Sequence, residues 1–200
     1  MTNPTENQAA VNPSPSPNPD PDPTAILHLW FEQSTPKQWF TKSPAFDALI
    51  AKRFGAAVED ALAGHLDTWR EESDHCLALI LLLDQFTRHI YRDTPKAFSG
   101  DDQALILSQK TVERDWLQSC STLYKRKFML MPMMHSEDIR VQQAALPLFE
   151  QFTDADTLRF ARRHAEIIER FGRFPHRNAI VGRPSSTEEL TFLREPASSF

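Results

Sequence analysis

The chain has 200 residues, of which 40% are apolar and 24% are charged, and its formal net charge is −5. This balance is typical of a folded, water-soluble protein, and the length suggests one domain. The acidic character argues against a broad basic face, so we expect no nucleic-acid partner. The longest apolar run, residues 77–83, is too short to cross a bilayer, so we expect no membrane partner.

The first 23 residues contain seven of the fifteen prolines. Proline alternates with Ser, Asn and Asp between Pro13 and Pro23, a composition that favours an extended chain with no core to bury. No apolar stretch of the kind found in secretory signals is present there. We predict a disordered tail over residues 1–23 and a single all-α domain over residues 24–200. The two cysteines form no disulfide framework, which favours a cytoplasmic location.

Helical spacing of apolar residues then runs through the chain, and no confident strand pattern interrupts it. The first helix is predicted over residues 25–33. The second begins at Pro44 behind Ser43 as its N-cap, and a third long helix covers residues 73–91. A short turn over residues 95–99 follows.

The second half continues the pattern. Helices are predicted over residues 101–115 and 122–131, the latter ending before Pro132. Ser136 is the expected N-cap of the next helix, and Gly172 is expected to end the helix of residues 154–171. A capping box of Ser186 and Glu189 begins the last. About eight helices joined by short links predict an all-α fold of antiparallel helix pairs.

The helix over residues 73–91 carries polar groups where burial is expected. Residues 77–83 are apolar on every face, which indicates a helix buried on all sides. Asp84, Gln85 and Arg88 follow directly, and Asp84 and Arg88 have the four-residue spacing at which helical side chains meet. They form either a structural ion pair at the wetter end of the helix or one wall of a polar cleft.

The run Met-Pro-Met-Met-His-Ser-Glu-Asp at residues 131–138 is interpreted as a helix start, since Ser136 caps it and acidic residues such as Glu137 complement the helix dipole. This interpretation leaves His135 unexplained. A charged imidazole is disfavoured just outside a helix N-terminus, so we expect it to be neutral. Gln142, one turn later, is placed to hydrogen-bond into the same region.

The exit loop, residues 172–186, is the most informative segment of the chain. Gly172 supplies a left-handed helix end, and Pro175 forces the preceding residue into an extended conformation. Binding groups collect on loops that a rigid scaffold positions. The resulting candidates, with His164 on the apolar stripe of the preceding helix, are Arg173, His176, Arg177, Asn178 and Arg183. Arginine forks suit ligand carboxylates or phosphates, but they suit helix-end carbonyls equally well.

Three runs together resemble a known family. They are LALILLLDQFTRHIYRDTPKAF at residues 77–98, MPMMHSED at residues 131–138 and RFGRFPHRNAIVGRPSSTEELTFL at residues 170–193. In order and spacing they resemble the bacterial family catalogued as domain of unknown function 924, from about residue 25 to the C-terminus. The resemblance implies a tetratricopeptide-like fold, an α–α superhelix, and it implies no established activity.

Three functions follow from these residues, and the first is preferred. In a binding domain, the arginines hold a small anion or a peptide carboxylate while His135, His176 and Asn178 orient it. In a hydrolase-type enzyme, Asp84, Glu137 and the two histidines act as acid–base groups. In an interaction scaffold, the polar motifs only lock helix ends. No metal-ligand spacing and no Gly-rich phosphate loop is present, so neither a metal nor a cofactor is expected.

Geometry decides between these functions. Convergence of the polar candidates on one solvent-connected cavity favours a site. Local satisfaction of each side chain by its own backbone neighbours favours the scaffold. Oligomeric state does not follow from the sequence.

Overall fold

The structure, a computed structural model, describes residues 21–196 and residue 198. This part of the chain is all-α and contains no strand, which confirms the predicted fold class. Its α-helices are α1 (Pro23–His28), α2 (Pro36–Phe40), α3 (Pro44–Leu62), α4 (Ser73–Ile80), α5 (Thr87–Ile90), α6 (Asp101–Glu113), α7 (Trp116–Ser119), α8 (Leu123–His135), α9 (Ile139–Phe152), α10 (Ala155–Phe171) and α11 (Thr187–Phe192). Of the disordered tail predicted over residues 1–23, residues 1–20 lie outside the described residues. At its end, Asp22 caps α1 and Pro23 is the first residue of that helix.

Shorter helical turns complete the described part. A π-helical turn at Leu29–Gln33 continues α1, and a second at Leu81–Phe86 joins α4 to α5 into one helical rod. Turns of 3₁₀ helix lie at Asp67–Glu71, Pro95–Phe98 and Pro175–Arg177. The pattern predicted about eight helices, and the short helices α2 and α7 were not among them.

The rod from α4 to α5 lies at the centre of the fold. Residues 77–83 are each at most 2% exposed, as their uninterrupted apolar sequence predicted. The rod is surrounded because α1 and α6 pack against α4, and α3 packs against the π-helical turn and α5. The remaining helices extend the stack, with α8 against α6, α9 against α8, and α10 against α9. The tetratricopeptide-like superhelix remains a prediction.

Three predicted helix ends are confirmed. Ser43 caps α3 by accepting a hydrogen bond from the Phe46 N–H. Gly172 ends α10 in the left-handed region at φ 67°. Ser186 and Glu189 form the capping box of α11. These signals succeed because each depends on backbone groups within one helical turn.

The predicted boundary between α8 and α9 is wrong. Helix α8 continues through Pro132 to His135, Ser136 follows its last residue, and Asp138 caps α9 by accepting from the Arg140 N–H at 2.9 Å. Proline within a helix removes one hydrogen bond and crowds the preceding turn. Residues 128–134 are all buried, and this packing outweighs the local cost. His135 is therefore a helix C-terminal residue.

A glycine allows α6 to approach the central rod. A Cβ atom at Gly100 would lie 3.0 Å from both the carbonyl carbon and the Cα of Leu83. The absence of a side chain thus brings the first residue of α6, Asp101, next to the segment that carries Asp84 and Arg88. None of the described helices has both the length and the apolar character needed to span a membrane.

Candidate functional site

A cleft of about 1000 Å³ lies between α2, α5, α8, α10 and the exit loop. Six of the candidate residues line it: Gln85, Arg88, His135, His164, His176 and Arg177. Its walls also include the apolar side chains of Met131, Met134, Leu158 and Phe174. The structure therefore brings candidates from three separate motifs to one concave surface.

Asp84 lies directly behind this surface and is fully buried. Its Oδ1 atom lies 2.6 Å from Nδ1 of His135 and 3.2 Å from Nη1 of Arg88. Its Oδ2 atom accepts from the Gln85 amide at 2.6 Å. The predicted meeting of Asp84 and Arg88 is thus present, and the same carboxylate also holds the His135 ring. The π-helical turn carries Asp84 and Gln85, and such turns are frequent at functional sites.

The protonation states follow from this contact. Burial acts to raise the pKa of Asp84, but His135 and Arg88 hold it below its usual range, so the carboxylate is ionised. An ionised carboxylate only accepts hydrogen bonds, so Nδ1 of His135 carries the proton. Burial lowers the pKa of His135 and outweighs the attraction of Asp84. At neutral pH the imidazole is therefore neutral, with its lone pair on Nε2.

The imidazole of His135 is neutral, as expected, but a position outside the N-terminus of α9 is not the cause. As the last residue of α8, its ring lies at the negative end of a helix dipole, which favours a positive charge. Burial, not the dipole of α9, lowers its pKa.

Asp101 joins two of the arginines of the cleft, Arg88 and Arg177. Its Oδ2 atom accepts from Nη2 of Arg88 at 3.1 Å and from Nη1 of Arg177 at 3.0 Å. A further nitrogen of Arg177, Nη2, donates to the carbonyl oxygen of His135 at 3.1 Å. The Phe98 ring lies 5.5 Å from the Arg88 guanidinium and 4.7 Å from that of Arg177. Sequence reasoning identified Asp101 only as a helix start, because aspartate is common there.

A second aspartate–histidine pair borders the same cleft, and the sequence did not predict it either. Nδ1 of His89 lies 2.7 Å from Oδ1 of Asp47, and Arg92 donates to both oxygens of that carboxylate. His89 and Arg92 line the cleft. Burial lowers the pKa of His89. No sequence signal marked this pair, since Asp47 is 42 residues from His89.

Glu137 and Arg183 belong to a smaller neighbouring cavity of about 240 Å³, which His135 and Arg177 also line. Arg183 donates to both oxygens of Glu137, at 2.6 and 2.8 Å. The Phe174 N–H also donates to Glu137, at 2.8 Å. Burial opposes ionisation of Glu137, but Arg183 and the Phe174 N–H lower its pKa. This clamp ties the exit loop to the link between α8 and α9.

Besides Asp84, three candidates line neither cavity. Gln142 donates to the carbonyl oxygens of Met134 and Ser136, at 2.6 and 2.8 Å. Arg173 donates to both oxygens of Glu189, at 2.7 and 2.9 Å. Asn178 is fully buried and donates to the same carboxylate at 3.2 Å. The exit loop therefore divides, with His176 and Arg177 at the cleft, and Arg173 and Asn178 at α11.

The rings of His164, which is buried, and His176, which is half-buried, both lie against the ring of Phe174. Their rings lie 5.5 and 5.6 Å from the Phe174 ring, and the His164 ring lies 6.2 Å from that of His135. Burial lowers the pKa of His164 to about 3 and that of His176 to about 4. Three histidines thus contribute neutral rings to one end of the cleft. In the described part of the chain, no group of three or more His, Cys, Asp or Glu side chains is arranged to hold a metal ion.

A family model described as "Bacterial protein of unknown function (DUF924)" matches residues 26–197. The chain belongs to the DUF924 family. The resemblance carried by the three sequence runs is thereby confirmed. The DUF924 chain is also similar to the solved structure of a protein of unknown function from Agrobacterium tumefaciens. That match has 37% identity and a TM-score of 0.81, and it covers 86% of this chain and 96% of the other.

None of the curated proteins compared matches the DUF924 chain. Neither the family description nor that of the Agrobacterium protein assigns an activity. The case for a function therefore depends on the geometry of the cleft.

Proposed function

We propose that this DUF924 protein is a binding protein whose cleft takes a small anionic ligand or the carboxylate of a peptide. One observation carries the proposal: the lining, among the described residues, has seven Lys or Arg side chains and two Asp or Glu side chains. The whole chain has a net charge of −5. Most of the carboxylates that pair with these arginines lie outside the lining, so the surface of the cleft itself presents an excess of cations, which favours an anion there.

A carboxylate, that of Asp101, orients two of the arginines that line the cleft. Arg88 and Arg177 contact the shared Asp101, which fixes the planes of both guanidiniums. A guanidinium has five N–H donors, so contacts on one edge leave others for a ligand. Nε of Arg177 is buried and has no hydrogen-bond partner among the described residues. Buried donors are normally paired, so an oxygen acceptor from a ligand would complete this site.

The size of the cleft supports a ligand larger than a single ion. About 1000 Å³ is at the upper end of the range of small-molecule pockets. Such pockets combine apolar walls with a few polar groups that fix orientation. Met131, Met134 and Leu158 supply apolar wall here, and the imidazoles of His135 and His176 supply polar contacts.

A thermal-shift panel tests this proposal. The panel contains phosphate, citrate, succinate and a short peptide with either a free or an amidated C-terminus. A ligand that binds the folded state raises Tm in proportion to its concentration relative to Kd. We expect at least one anion to stabilise the wild-type protein, and we expect amidation to abolish the effect of the peptide if its carboxylate is the bound group.

Two arginines of the exit loop provide a matched pair of variants. Arg177→Ala removes a cleft residue, whereas Arg173→Ala removes an arginine that contacts Glu189 and not the cleft. The ligand response should be lost in the first variant and kept in the second. Arg163→Ala, which changes a half-buried residue of the cleft lining, serves as a second variant in case Arg177→Ala does not fold. An unchanged response in both cleft variants would refute the proposal, and no response to any anion would favour the scaffold.

The contact between His135 and Asp84 favours a second candidate function, a hydrolase-type enzyme. A neutral imidazole whose Nδ1 proton is held by a buried carboxylate has its lone pair on Nε2, which is the arrangement of an oriented general base. In this candidate, Nε2 of His135 accepts a proton from an attacking water, and the arginines stabilise the developing negative charge.

Chromogenic esters, phosphoesters and glycosides provide the test of this second candidate. Hydrolysis by the wild-type protein that disappears in His135→Gln but persists in His65→Gln, outside the cleft, would support it. Rates equal to those of buffer alone across the panel would rule it out for these substrate classes.

A further inference from the structure

Lys127 differs from the other cations of the cleft. Each of the six arginines in the lining lies within 4.0 Å of a carboxylate. Lys127, among the described residues, has no carboxylate at that distance, and Asp154 and Asp156 act on it only at longer range. Its half-buried ammonium lies 4.8 Å from the centroid of the Phe40 ring. The charge of Lys127 is therefore the one that a bound anion would neutralise most effectively.

The position of Lys127 defines one end of the cleft. Lys127, Met131 and His135 follow one another at four-residue spacing, so they share one face of α8. The rise of an α-helix places Lys127 about 12 Å from His135 along the axis. Lys127 thus lies at one end of the cleft, and His135, with Arg88 and Arg177 beside it, lies at the other.

Helix α10 forms the opposite wall and runs in the same direction as α8. Near their N-terminal ends, Lys127 of α8 interacts electrostatically with Asp154, the N-cap of α10, and with Asp156 in its first turn. At the other end, the rings of His135 and His164 are 6.2 Å apart. Between these contacts the wall of α10 includes Leu158. Apolar side chains on both helices therefore border a trough that is about as long as the distance from Lys127 to His135.

Two large aromatic side chains of the cleft lining are exposed. Phe40 is 57% exposed and Phe160 is 48% exposed, and both line the cleft. Exposed apolar area that borders a cleft and is rimmed by charged groups is typical of a binding site. An apolar ligand chain in the trough would cover part of this area.

We propose that the ligand is an amphipathic monoanion, a carboxylate on an unbranched apolar chain, with its carboxylate on the Lys127 ammonium and its chain along the trough towards His135. This inference rests on the proposed anion binding and narrows it to one ligand class. Lys127 supplies three N–H donors for the head group, and among the described residues no carboxylate lies within 4.0 Å of its ammonium. The trough supplies the apolar surface for the chain.

Isothermal titration with acetate, octanoate, decanoate and octanol tests the ligand class. Each buried methylene should lower Kd about fourfold, so decanoate, with two more methylenes, should bind about fifteenfold more tightly than octanoate. Acetate lacks the apolar chain and octanol lacks the carboxylate, so both should bind far more weakly than octanoate. Equal affinities for octanoate and decanoate, or for octanoate and octanol, would overturn the inference.

Variants of Lys127 test the head-group contact. Lys127→Ala should raise the Kd for octanoate at least tenfold, and Lys127→Arg should restore most of the affinity. Lys52→Ala, which removes an exposed lysine of α3 outside the cleft, should leave it unchanged. Circular dichroism checks that each variant is folded. An unchanged Kd in folded Lys127→Ala would overturn the assignment of Lys127.

The outcome for citrate and phosphate separates this inference from the broader proposal. If these anions bind and Arg177→Ala weakens them while octanoate does not bind, anion binding stands and the amphipathic ligand is refuted. If none of the anions binds, both proposals fail.

Discussion

Nδ1 of His135 lies 2.6 Å from Oδ1 of Asp84, and the two residues are 51 positions apart in the chain. The contact joins the C-terminal residue of α8 to the π-helical turn in the central rod. It also joins the cleft to the core, because Asp84 is fully buried while His135 lines the cleft. The carboxylate therefore both supports the fold and sets the tautomer of a candidate binding group.

Asp84→Asn should destabilise the protein strongly. Removing one partner of a buried ion pair leaves the other charge uncompensated, which typically costs about 3–5 kcal/mol. Arg88 would retain Asp101, so we expect a loss near the lower end of that range. Urea denaturation measures the change. Asp156→Asn is the control, because its pair with Arg159 is exposed and such pairs contribute little. Equal stability of the two variants would contradict the prediction.

The pair of Glu189 and Arg173 should make stability depend on acid pH. The hydrogen bonds from Arg173, with those from the Ser186 N–H and Asn178, lower the pKa of Glu189 to about 2. A carboxylate whose folded pKa is depressed stabilises the protein above its unfolded pKa of about 4.3, and this contribution is lost as the pH falls towards 2. Glu189→Gln should be less stable at pH 6 and should lose less stability between pH 4.5 and 2. Parallel curves of Tm against pH for the two proteins would count against this role.

His164 should destabilise the folded state in acid for a different reason. Burial, with the neighbouring His135, lowers the pKa of His164 to about 3, whereas an unfolded histidine has a pKa of about 6.5. The unfolded state therefore binds more protons between these values, so stability falls as the pH drops from 6.5 towards 3. NMR titration should show a neutral His164 ring at pH 5, and His164→Gln should reduce the slope of stability against pH. A ring that titrates near pH 6.5 would be inconsistent with this burial.

Gly100→Ala should separate α6 from the central rod. The new Cβ would contact the backbone of Leu83 at 3.0 Å or less, and overpacking of this kind costs about 1–3 kcal/mol. The matched control is Gly55→Ala in α3, where no atom lies within 4 Å of the added Cβ. There alanine should stabilise the helix by up to about 1 kcal/mol. Thermal unfolding should give Tm shifts of opposite sign for the two variants. An unchanged Tm for Gly100→Ala would show that α6 can move at no cost in stability.

Local sequence determined most of the helices of this protein. Apolar spacing and caps such as Ser43, Gly172 and the pair Ser186–Glu189 act within one or two helical turns, so they can be recognised in a single sequence. The burial of residues 77–83 followed from their composition alone. The polar residues that interrupt these patterns also directed attention to the cleft, since six of the candidates line it.

Tertiary packing decided where α8 ends, how the exit loop is arranged and which residues meet at the cleft. It extended α8 through Pro132, because the buried face of that helix outweighs one lost hydrogen bond. It also divided the exit loop, with Arg177 at the cleft and Arg173 at Glu189. The contacts of Arg177 with Asp101 and of His135 with Asp84 span 76 and 51 residues. The absence of a carboxylate within 4.0 Å of Lys127, in the part of the chain that the structure describes, likewise depends on which helices become neighbours. No periodicity in the sequence encodes such distances, since they are set by how whole helices pack against one another.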